Sequence, residues 1–375
     1  MLAFNKGVSM KLAIAVYPLN DFTEKKVNDY LALAKSLGYR EVLSSIHLTE
    51  CSFHEQFALF LNLAKLVKQH EMDLCVDIGG EMINILINDE NLLKELKNAQ
   101  VKSIRLDYQY DTKQINEIFL KTKIDQFVLN ASTMSSEAVA DIIDHTDKRI
   151  TWSACHNFYL RPQTGLTMDF FKQQYQIFSK NHIPVTACLP AFANPRFPLF
   201  KGLTTIEAHR NCSILQACYE LVESNACDGI LIADPYANVQ ELSAIQCVLE
   251  KRPLTINFDR DELATNDEIC LLLNKEHKSR YDLSEYGIRL ITSRQMAEYG
   301  NNIPIRKTKV RKYGDITIDN IGYLRYSGEI QIIIKEAGYD ANVNVVGHVI
   351  EEDQWKLAYI KKGYSFYFKQ REGEI

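Results

Sequence analysis

Eight short apolar runs between residues 11 and 233 predict a (β/α)8 barrel, an α/β fold of the TIM-barrel type. Each run has the length of a strand, and longer segments of helical periodicity, such as Glu24–Leu37 and Phe53–His70, separate successive runs. Near-continuous apolar strands are typical of a parallel sheet that helices cover. The alternative is an open doubly wound sheet, but neither GxGxxG nor GxxxxGK(S/T) follows the first strand. The predicted strands are Lys11–Tyr17, Glu41–Ile46, Asp73–Ile78, Ser103–Leu106, Gln126–Leu129, Ile150–Ala154, Pro184–Leu189 and Gly229–Ala233.

The sequence changes character after about residue 255. Asp259–Lys278 is charged and has a helical pattern, and Tyr281–Glu298 bridges to a second domain or begins it. Closely spaced β signals with glycine-containing turns follow. We therefore predict a barrel domain over residues 1–255 and a smaller β-rich domain over residues 256–375. The predicted strands of the second domain are Ile316–Ile318, Ile330–Lys335, Val343–Val349 and Leu357–Ile360.

Composition and charge narrow the class of partner. The formal net charge of the 375 residues is -5 and charges of both signs are interspersed, which argues against nucleic acid or an anionic membrane as a partner. No apolar run approaches the roughly 20 residues that a membrane span needs, and the N-terminal segment lacks the pattern of a signal peptide. The nine cysteines form no CxxC pair. These features predict a reduced, cytoplasmic protein.

Residues 150–166 are the most informative segment, because an apolar run there stops abruptly in His156, Asn157, Tyr159 and Arg161. Side chains that follow the C-terminal end of a barrel strand belong to the face on which barrel enzymes carry their active sites. A buried core histidine beside a solvated loop is the alternative. Polar residues at the other strand ends are Tyr17, Ser44, Ser45, His47, Asp77, Arg105, Asp107, Tyr108, Asn130, Asp234 and Tyr236.

Three of these strand ends carry a carboxylate: Asp77, Asp107 and Asp234. Burying a carboxylate is expensive unless it is paired or used, which predicts acid/base or nucleophilic chemistry. Asp107 lies two residues from Arg105 on the same face of a strand, so a structural ion pair is the alternative there. Asp234 precedes Pro235 and could instead begin a turn or cap a helix.

A metal site is the other use for these residue types, since His47, His156, Asp77, Asp107 and Asp234 could all ligate a divalent ion. No two of them have a spacing such as HxH or HExxH, and a barrel distributes polar residues around its rim whatever its chemistry. We therefore expect neither a metal nor a cofactor.

A basic loop follows the seventh predicted strand. Residues 190–210 contain Arg196, Lys201 and Arg210, and Glu207 fits the first turn of a helix that Thr204 or Thr205 could cap. Cations and a helix N-terminus at the rim of a barrel suit an anionic ligand such as a sugar phosphate. Solvated surface charge is the alternative.

Eight collinear segments together carry a resemblance to a known family: residues 105–108, 129–133, 156–166, 196–210, 233–237, 314–320, 326–332 and 343–347. They resemble the MupG-type 6-phospho-N-acetylmuramidase family. The similarity also includes residues of the second predicted domain, so it covers nearly the whole chain. The sequence departs from the family pattern at Gly79-Gly80, where Ser-Pro is expected, at Phe197, where Gly is expected, and at Lys312-Tyr313, where an Arg-Gly-Asp run is usual.

The resemblance implies a TIM barrel followed by a cyclophilin-like β domain, and a cytoplasmic glycoside hydrolase of cell-wall recycling. The expected partner is a small phosphorylated amino-sugar disaccharide, MurNAc 6-phosphate–GlcNAc. Glycoside cleavage normally uses two carboxyl groups, unless the acetamido group of the substrate replaces one of them. We expect Asp107 and Asp234 to be that pair, with Asp77 next, and the sequence does not assign acid and nucleophile between them.

The resemblance also suggests where the substrate binds. We expect the phosphate near Arg161, Arg196 and Arg210, and a C-terminal domain that closes over the barrel with Arg311 or Tyr326. A metal-dependent sugar-phosphate isomerase or epimerase and a non-catalytic phosphosugar binder remain alternative functions. The oligomeric state, monomer or homodimer, is left open. The remaining predicted binding residues are Tyr17, Ser45, His47, Arg105, Asn130, His156, Asn157, Tyr159 and Tyr236.

Overall fold

The computed structural model describes residues 10–19, 22–46, 52–291 and 303–371. The chain divides into two compact units, Met1–Glu250 and Lys251–Ile375. The division falls five residues before the predicted one, because the first strand of the second unit already begins at Leu254.

Eight parallel strands of the first unit close into a barrel in the order β1 to β8. The predicted (β/α)8 barrel is confirmed, and each strand lies within two residues of its predicted bounds. The strands are β1 Lys11–Ala15, β2 Glu41–Ser45, β3 Asp73–Ile78, β4 Ser103–Leu106, β5 Gln126–Asn130, β6 Thr151–Cys155, β7 Val185–Leu189 and β8 Gly229–Ile232. The helices are α1 Glu24–Ser36, α2 Phe53–Gln69, α3 Glu81–Asn88, α4 Glu90–Asn98, α5 Thr112–Thr122, α6 Ser136–His145, α7 Met168–Ser179, α8 Ile214–Ser224 and α9 Val239–Leu249.

Side chains of small and medium size fill the barrel interior. Successive residues of a strand point to opposite faces, so alternate residues face the interior and the helices. The interior cluster extends to the C-terminal strand ends, where Tyr17 and Ala233 belong to it. This alternation decides which polar residue after each strand faces the barrel mouth. Members of the interior cluster include Ala13, Ala15, Leu43, Cys75, Val128, Cys155, Cys188 and Leu231.

The second unit is a seven-stranded sheet in the order β10-β15-β9-β14-β12-β13-β11. The edge strands are joined by hydrogen bonds from Arg280 N to Arg289 O and from Ile291 N to Lys278 O, both 2.8 Å, so the sheet curves back on itself. Its strands are β9 Leu254–Arg260, β10 Glu276–Lys278, β11 Gly287–Arg289, β12 Asp315–Asp319, β13 Ile330–Ile333, β14 Val343–Val349 and β15 Ser365–Gln370, with one short helix, α10 Asn266–Cys270.

The prediction for this unit was only partly right. Leu357–Ile360 is not a strand, because it lies at the end of a 3-10 helix, Glu351–Tyr359, which buries Leu357 against the unit. The helical pattern of Asp259–Lys278 holds only for α10. The sequence did not predict β9, because its last residues are charged. In the structure, alternate residues of this strand are buried. No helix among the described residues is long and apolar enough to cross a membrane.

The start of α5 offers a test of a local stabilising interaction. Asp111 accepts a hydrogen bond from Gln114 N at 2.8 Å, and Gln114 Oε1 accepts one from Asp111 N at 2.9 Å. Asp111→Ala should lower the free energy of unfolding by about 1 kcal/mol. Lys113→Ala, in the same turn, is the control and should change it by less than about 0.5 kcal/mol. Urea unfolding checks both, and equal effects of the two variants would contradict the role of the cap.

Candidate active site

A buried arginine lies at the centre of the barrel mouth. Arg105 of β4 is 2% exposed and donates to Asp77 Oδ1 at 2.6 Å, to Asp107 Oδ1 at 3.1 Å and to Asn157 Oδ1 at 2.6 Å. Asp77 is the neighbour of Arg105 in the register between β3 and β4, and Asp107 follows Arg105 by two residues on the same face. The strand ends therefore bring four predicted site residues together.

Asp107 is the more exposed carboxylate of this cluster. Its side chain is 25% exposed, against 7% for Asp77. Asn130 Nδ2 donates to Asp107 Oδ1 and to the Asp107 carbonyl, both at 3.2 Å. Both hydrogen bonds to the carboxylate, from Arg105 and Asn130, are thus accepted by Oδ1, and Oδ2 has no hydrogen-bond partner within the described residues. One carboxylate oxygen is held and the other is available to a substrate.

Asp234 has a different environment. It is fully buried, and its carboxylate accepts backbone hydrogen bonds from Ala191 at 3.0 Å, Arg196 at 2.8 Å and Leu203 at 2.7 Å. Burial raises the pKa of this carboxyl, and the three amides oppose that rise. Because both oxygens are occupied by the loop after β7, the geometry favours an anchoring role over the predicted catalytic one.

His156 does not join the cluster around Arg105. Cys155 faces the barrel interior, so His156, the next residue, faces the helices, where its ring lies 4.8 Å from the ring of Phe171. Burial, with a smaller effect of Arg105, lowers the pKa of His156 to about 3 and keeps the imidazole neutral. Its Nδ1 lies 3.0 Å from Ser132 Oγ, which also accepts from Asn157 N at 2.9 Å. His156 thus matches the buried-histidine alternative.

A second buried arginine joins the loops that follow β6 and β7. Arg210 is 5% exposed and binds the Glu207 carboxylate through Nε at 2.7 Å and Nη2 at 2.9 Å. Its remaining donors bind backbone carbonyls, so the geometry favours a structural role over the predicted phosphate contact. The carbonyl partners of Arg210 are those of Tyr159 at 3.0 Å, Arg161 at 3.3 Å, Lys201 at 3.2 Å and Gly202 at 2.7 Å.

The predicted helix start at residues 204–207 is a short 3-10 helix, Glu207–Asn211, without a side-chain cap. Thr204 Oγ1 donates to Ile206 O at 2.8 Å, and Thr205 Oγ1 donates to Asn157 O at 3.0 Å. The expected threonine cap was therefore wrong, because both hydroxyls donate to carbonyls elsewhere. Thr205 instead fixes the backbone of Asn157 beside Arg105.

The other predicted residues occupy separate positions. The Arg196 guanidinium lies 4.2 Å from the centroid of the Tyr17 ring, whose hydroxyl donates to Ala233 O at 2.9 Å. Tyr236 packs against Tyr30, with ring centroids 5.4 Å apart, on the side of α1. Ser45 is buried beside Asp77 in the register of β2 and β3, Tyr159 is half-buried and Arg161 is exposed. His47 lies outside the described residues.

Sequence reasoning missed Ser132, Glu207 as a loop anchor, and Glu241. Glu241 Oε1 accepts from Phe192 N at 2.6 Å and Ala193 N at 3.1 Å, while Oε2 accepts from Asn238 N at 2.9 Å. Ser132 and Glu207 lay within segments that the sequence singled out, residues 129–133 and 196–210, but Glu207 was expected in the first turn of a helix, and Glu241 lay outside every such segment. No group of three or more His, Cys, Asp or Glu side chains in the described part of the chain could hold a metal ion.

A closed parallel barrel with an arginine, a partly exposed carboxylate and two amide side chains at its mouth has the architecture of a TIM-barrel enzyme. Family models described as 6-phospho-N-acetylmuramidase, N-terminal, and 6-phospho-N-acetylmuramidase, C-terminal, match residues 12–247 and 254–369. The chain therefore belongs to the 6-phospho-N-acetylmuramidase family and is a glycosidase.

Two solved structures resemble the whole chain. An uncharacterized protein from B. cereus is 25% identical, with a TM-score of 0.73, and the match covers 96% of this chain and 100% of that one. A conserved protein of unknown function from Enterococcus faecalis is 26% identical, with a TM-score of 0.77 and 96% of each chain covered. No match was found among curated proteins.

Asp234→Asn tests the anchoring role of that carboxylate. An amide accepts through one oxygen only, and its NH2 group would face a backbone N–H, so at least one buried donor loses its acceptor. We expect a loss of about 2 kcal/mol or more in the free energy of unfolding. Asp169→Asn, on the exposed start of α7, is the matched control and should change little. Full stability with complete loss of turnover would contradict the anchoring role.

The pair of Glu207 and Arg210 predicts a pH dependence. Hydrogen bonds from the Arg210 side chain lower the pKa of Glu207 from 4.5 to about 2. A carboxyl with a lowered folded-state pKa stabilises the fold above its unfolded pKa and loses this contribution as the pH falls through its folded pKa. Between pH 4.5 and pH 2 the stability of the wild-type protein should therefore fall more steeply than that of Glu207→Gln. Urea unfolding across this range, with Glu117→Gln as control, checks this; parallel pH profiles would contradict it.

Proposed function

We propose that this glycosidase hydrolyses the bond between MurNAc 6-phosphate and GlcNAc in the phosphorylated disaccharide. Membership of the 6-phospho-N-acetylmuramidase family over both units supports this substrate class. The observation that carries the proposal is the position of Asp107, a partly exposed carboxylate held at one oxygen in the mouth of the barrel.

Asp107 is suited to stabilise the centre at which the bond breaks. The transition state of glycoside cleavage has oxocarbenium-ion character, so a nearby carboxylate stabilises it. Arg105 and Asn130 fix the orientation of the carboxylate through Oδ1, while Oδ2 bonds no described residue. Direct attack by Oδ2 and attack by a substrate acetamido oxygen that Asp107 orients both depend on this group. In either case the bond between the anomeric carbon and the GlcNAc oxygen breaks and that oxygen takes up a proton from water. A water molecule then adds its hydroxyl to the anomeric carbon, which releases Asp107 or the acetamido oxygen and completes the hydrolysis.

Asp77 takes a supporting role in this proposal. Its side chain is 7% exposed and its 2.6 Å hydrogen bond to Arg105 helps to hold the guanidinium between the two carboxylates. Asp234, bound to three amides, anchors the loop after β7 instead of acting on the substrate. The proposed chemistry therefore centres on Asp107 alone among the three predicted carboxylates.

Amide side chains beside Asp107 are placed to bind the sugar. Asn157 accepts from Arg105 through Oδ1 at 2.6 Å, and its Nδ2 bonds no described residue, so that nitrogen is available to a hydroxyl or acetamide oxygen of the substrate. Asn130 contacts Asp107 on the other side. We propose that these two amides, with Tyr159, orient the N-acetyl sugar.

We also propose that the enzyme acts in the cytoplasm, in the recycling of cell-wall sugars. The eight cysteines that the structure describes are free thiols, as expected in a reducing compartment. A phosphorylated disaccharide is a substrate of the kind that such a compartment retains, because its charge opposes passage through a membrane. Fractionation with a specific antibody tests the location separately from the reaction.

Asp107→Asn tests the central assignment. Turnover of MurNAc 6-phosphate–GlcNAc, followed as released GlcNAc, should fall by about a thousandfold, because the substituted amide carries no charge to stabilise the oxocarbenium-like centre. Asp125→Asn, an exposed site before β5, is the matched control and should keep full activity. The thermal unfolding temperature of each variant confirms that it is folded. A folded Asp107→Asn enzyme with full turnover would overturn the assignment.

Chelation separates this function from a metal-dependent isomerase. We expect EDTA to leave the release of GlcNAc unchanged, since the proposed chemistry uses protein and substrate groups only. Activity that EDTA abolishes and a divalent ion restores would instead favour isomerisation or epimerisation of a sugar phosphate.

A further inference from the structure

The loops after β6 and β7 form one connected layer, residues 157–167 and 190–210, which we call the double loop. Tyr159 N donates to Thr204 O at 2.9 Å, and Leu166 N donates to Thr205 O at 2.8 Å. The Glu207 carboxylate accepts from the backbone of Gln163 at 2.8 Å and Gly165 at 2.7 Å. The buried Arg210 guanidinium fills the space between the two segments, so the double loop is internally bonded.

The double loop presents large apolar side chains to solvent. Phe197 is 54% exposed and Phe200 is 60% exposed, and their ring centroids lie 5.9 Å apart in an edge-to-face arrangement. Contiguous exposed hydrophobic side chains usually mark a binding site. The backbone below them is held by Asp234 and Glu241, which bond five amides between residues 191 and 203. The two rings are therefore exposed on an ordered support.

The double loop that carries these rings also carries two cations. Lys201 directly follows Phe200, and Arg161 belongs to the other half of the double loop. Both carbonyls accept from Arg210, at 3.2 Å for Lys201 and 3.3 Å for Arg161, which keeps the two backbones close together. Both side chains are exposed, and neither forms an ion pair with a described residue. The double loop therefore carries two exposed aromatic rings and two exposed cations, neither of which is paired with a carboxylate in the described part of the chain.

This combination matches the chemistry of a phosphorylated sugar. Aromatic rings bury the C–H face of a pyranose, and Lys and Arg form charge-assisted hydrogen bonds with phosphate. A purely apolar partner surface would leave both cations desolvated, which is unfavourable. We propose that Phe197, Phe200, Lys201 and Arg161 form a subsite that selects the phosphorylated sugar of the substrate. The identity of that sugar as MurNAc 6-phosphate rests on the proposed function.

The subsite is tested by substitutions that separate the phosphate contact from the ring contact. The double variant Arg161→Gln/Lys201→Gln should raise KM for MurNAc 6-phosphate–GlcNAc at least tenfold, with kcat nearly unchanged, and should not alter the residual cleavage of the unphosphorylated disaccharide. Phe197→Ala and Phe200→Ala should raise KM for both disaccharides. Lys172→Gln on α7 and Leu120→Ala on α5 are matched exposed controls.

The decisive quantity is the ratio of kcat/KM for the phosphorylated disaccharide to that for the unphosphorylated one. A ratio that falls in the double variant and not in Lys172→Gln supports the subsite, and an unchanged ratio overturns it. Sedimentation of the wild-type protein and of the Phe variants tests the alternative that a second copy of the chain covers the rings. If the wild-type protein sediments as a dimer and these variants sediment as monomers while KM stays constant, the rings lie between two copies of the chain and the subsite is overturned.

Binding experiments distinguish failure of the subsite from failure of the proposed function. If the wild-type protein cleaves neither disaccharide, the hydrolytic function fails, but MurNAc 6-phosphate at millimolar concentration remains a probe of the subsite. It should raise the thermal unfolding temperature of the wild-type protein and of Lys172→Gln, and not that of the double variant. Equal rises in all three proteins would overturn the subsite.

Discussion

The site depends on compensation of the charge of Arg105. A guanidinium that is 2% exposed is stable only when its donors meet acceptors of opposite charge or strong dipoles. Those acceptors, Asp77, Asp107 and Asn157, come from the ends of three strands, β3, β4 and β6. Closure of the barrel brings these ends together, so the fold and the arrangement of the site stabilise each other.

Acidic residues outside this cluster hold the loops that surround it. Asp234, Glu241 and Glu207 each accept hydrogen bonds from two or more backbone amides of the loops after β6 and β7. A carboxylate bound in this way is stabilised by several dipoles and fixes a loop that would otherwise carry unsatisfied donors. The rim of the barrel is therefore ordered by the residue type that also performs glycoside chemistry. Hydrogen bonding separates the two uses, because the anchoring carboxylates are bonded at both oxygens, whereas Asp107 is bonded to described residues at Oδ1 only.

The family match supports the enzyme class, and the geometry of the site supports the choice of catalytic residue. Family membership shows a glycosidase, while the similar solved structures, from B. cereus and Enterococcus faecalis, agree in fold and bring no function with them. The choice of Asp107 comes from the geometry, because exposure and the unbonded Oδ2 separate it from Asp77 and Asp234. Because a barrel supports many chemistries, the side chains at its mouth, and not the fold alone, distinguish Asp107 from the other carboxylates.

The barrel could be predicted from the sequence because apolar runs and helical periodicity are local properties, and all eight strands lie close to their predicted bounds. Part of the second unit could not: Leu357–Ile360 has a strand-like composition but completes a 3-10 helix. Pairing of Arg105 with Asp107 was foreseeable from their spacing on one strand. The sequence could not predict the partners of His156, Asp234 and Arg210. These side chains contact residues that are distant in sequence, and only the tertiary structure brings them within hydrogen-bond distance.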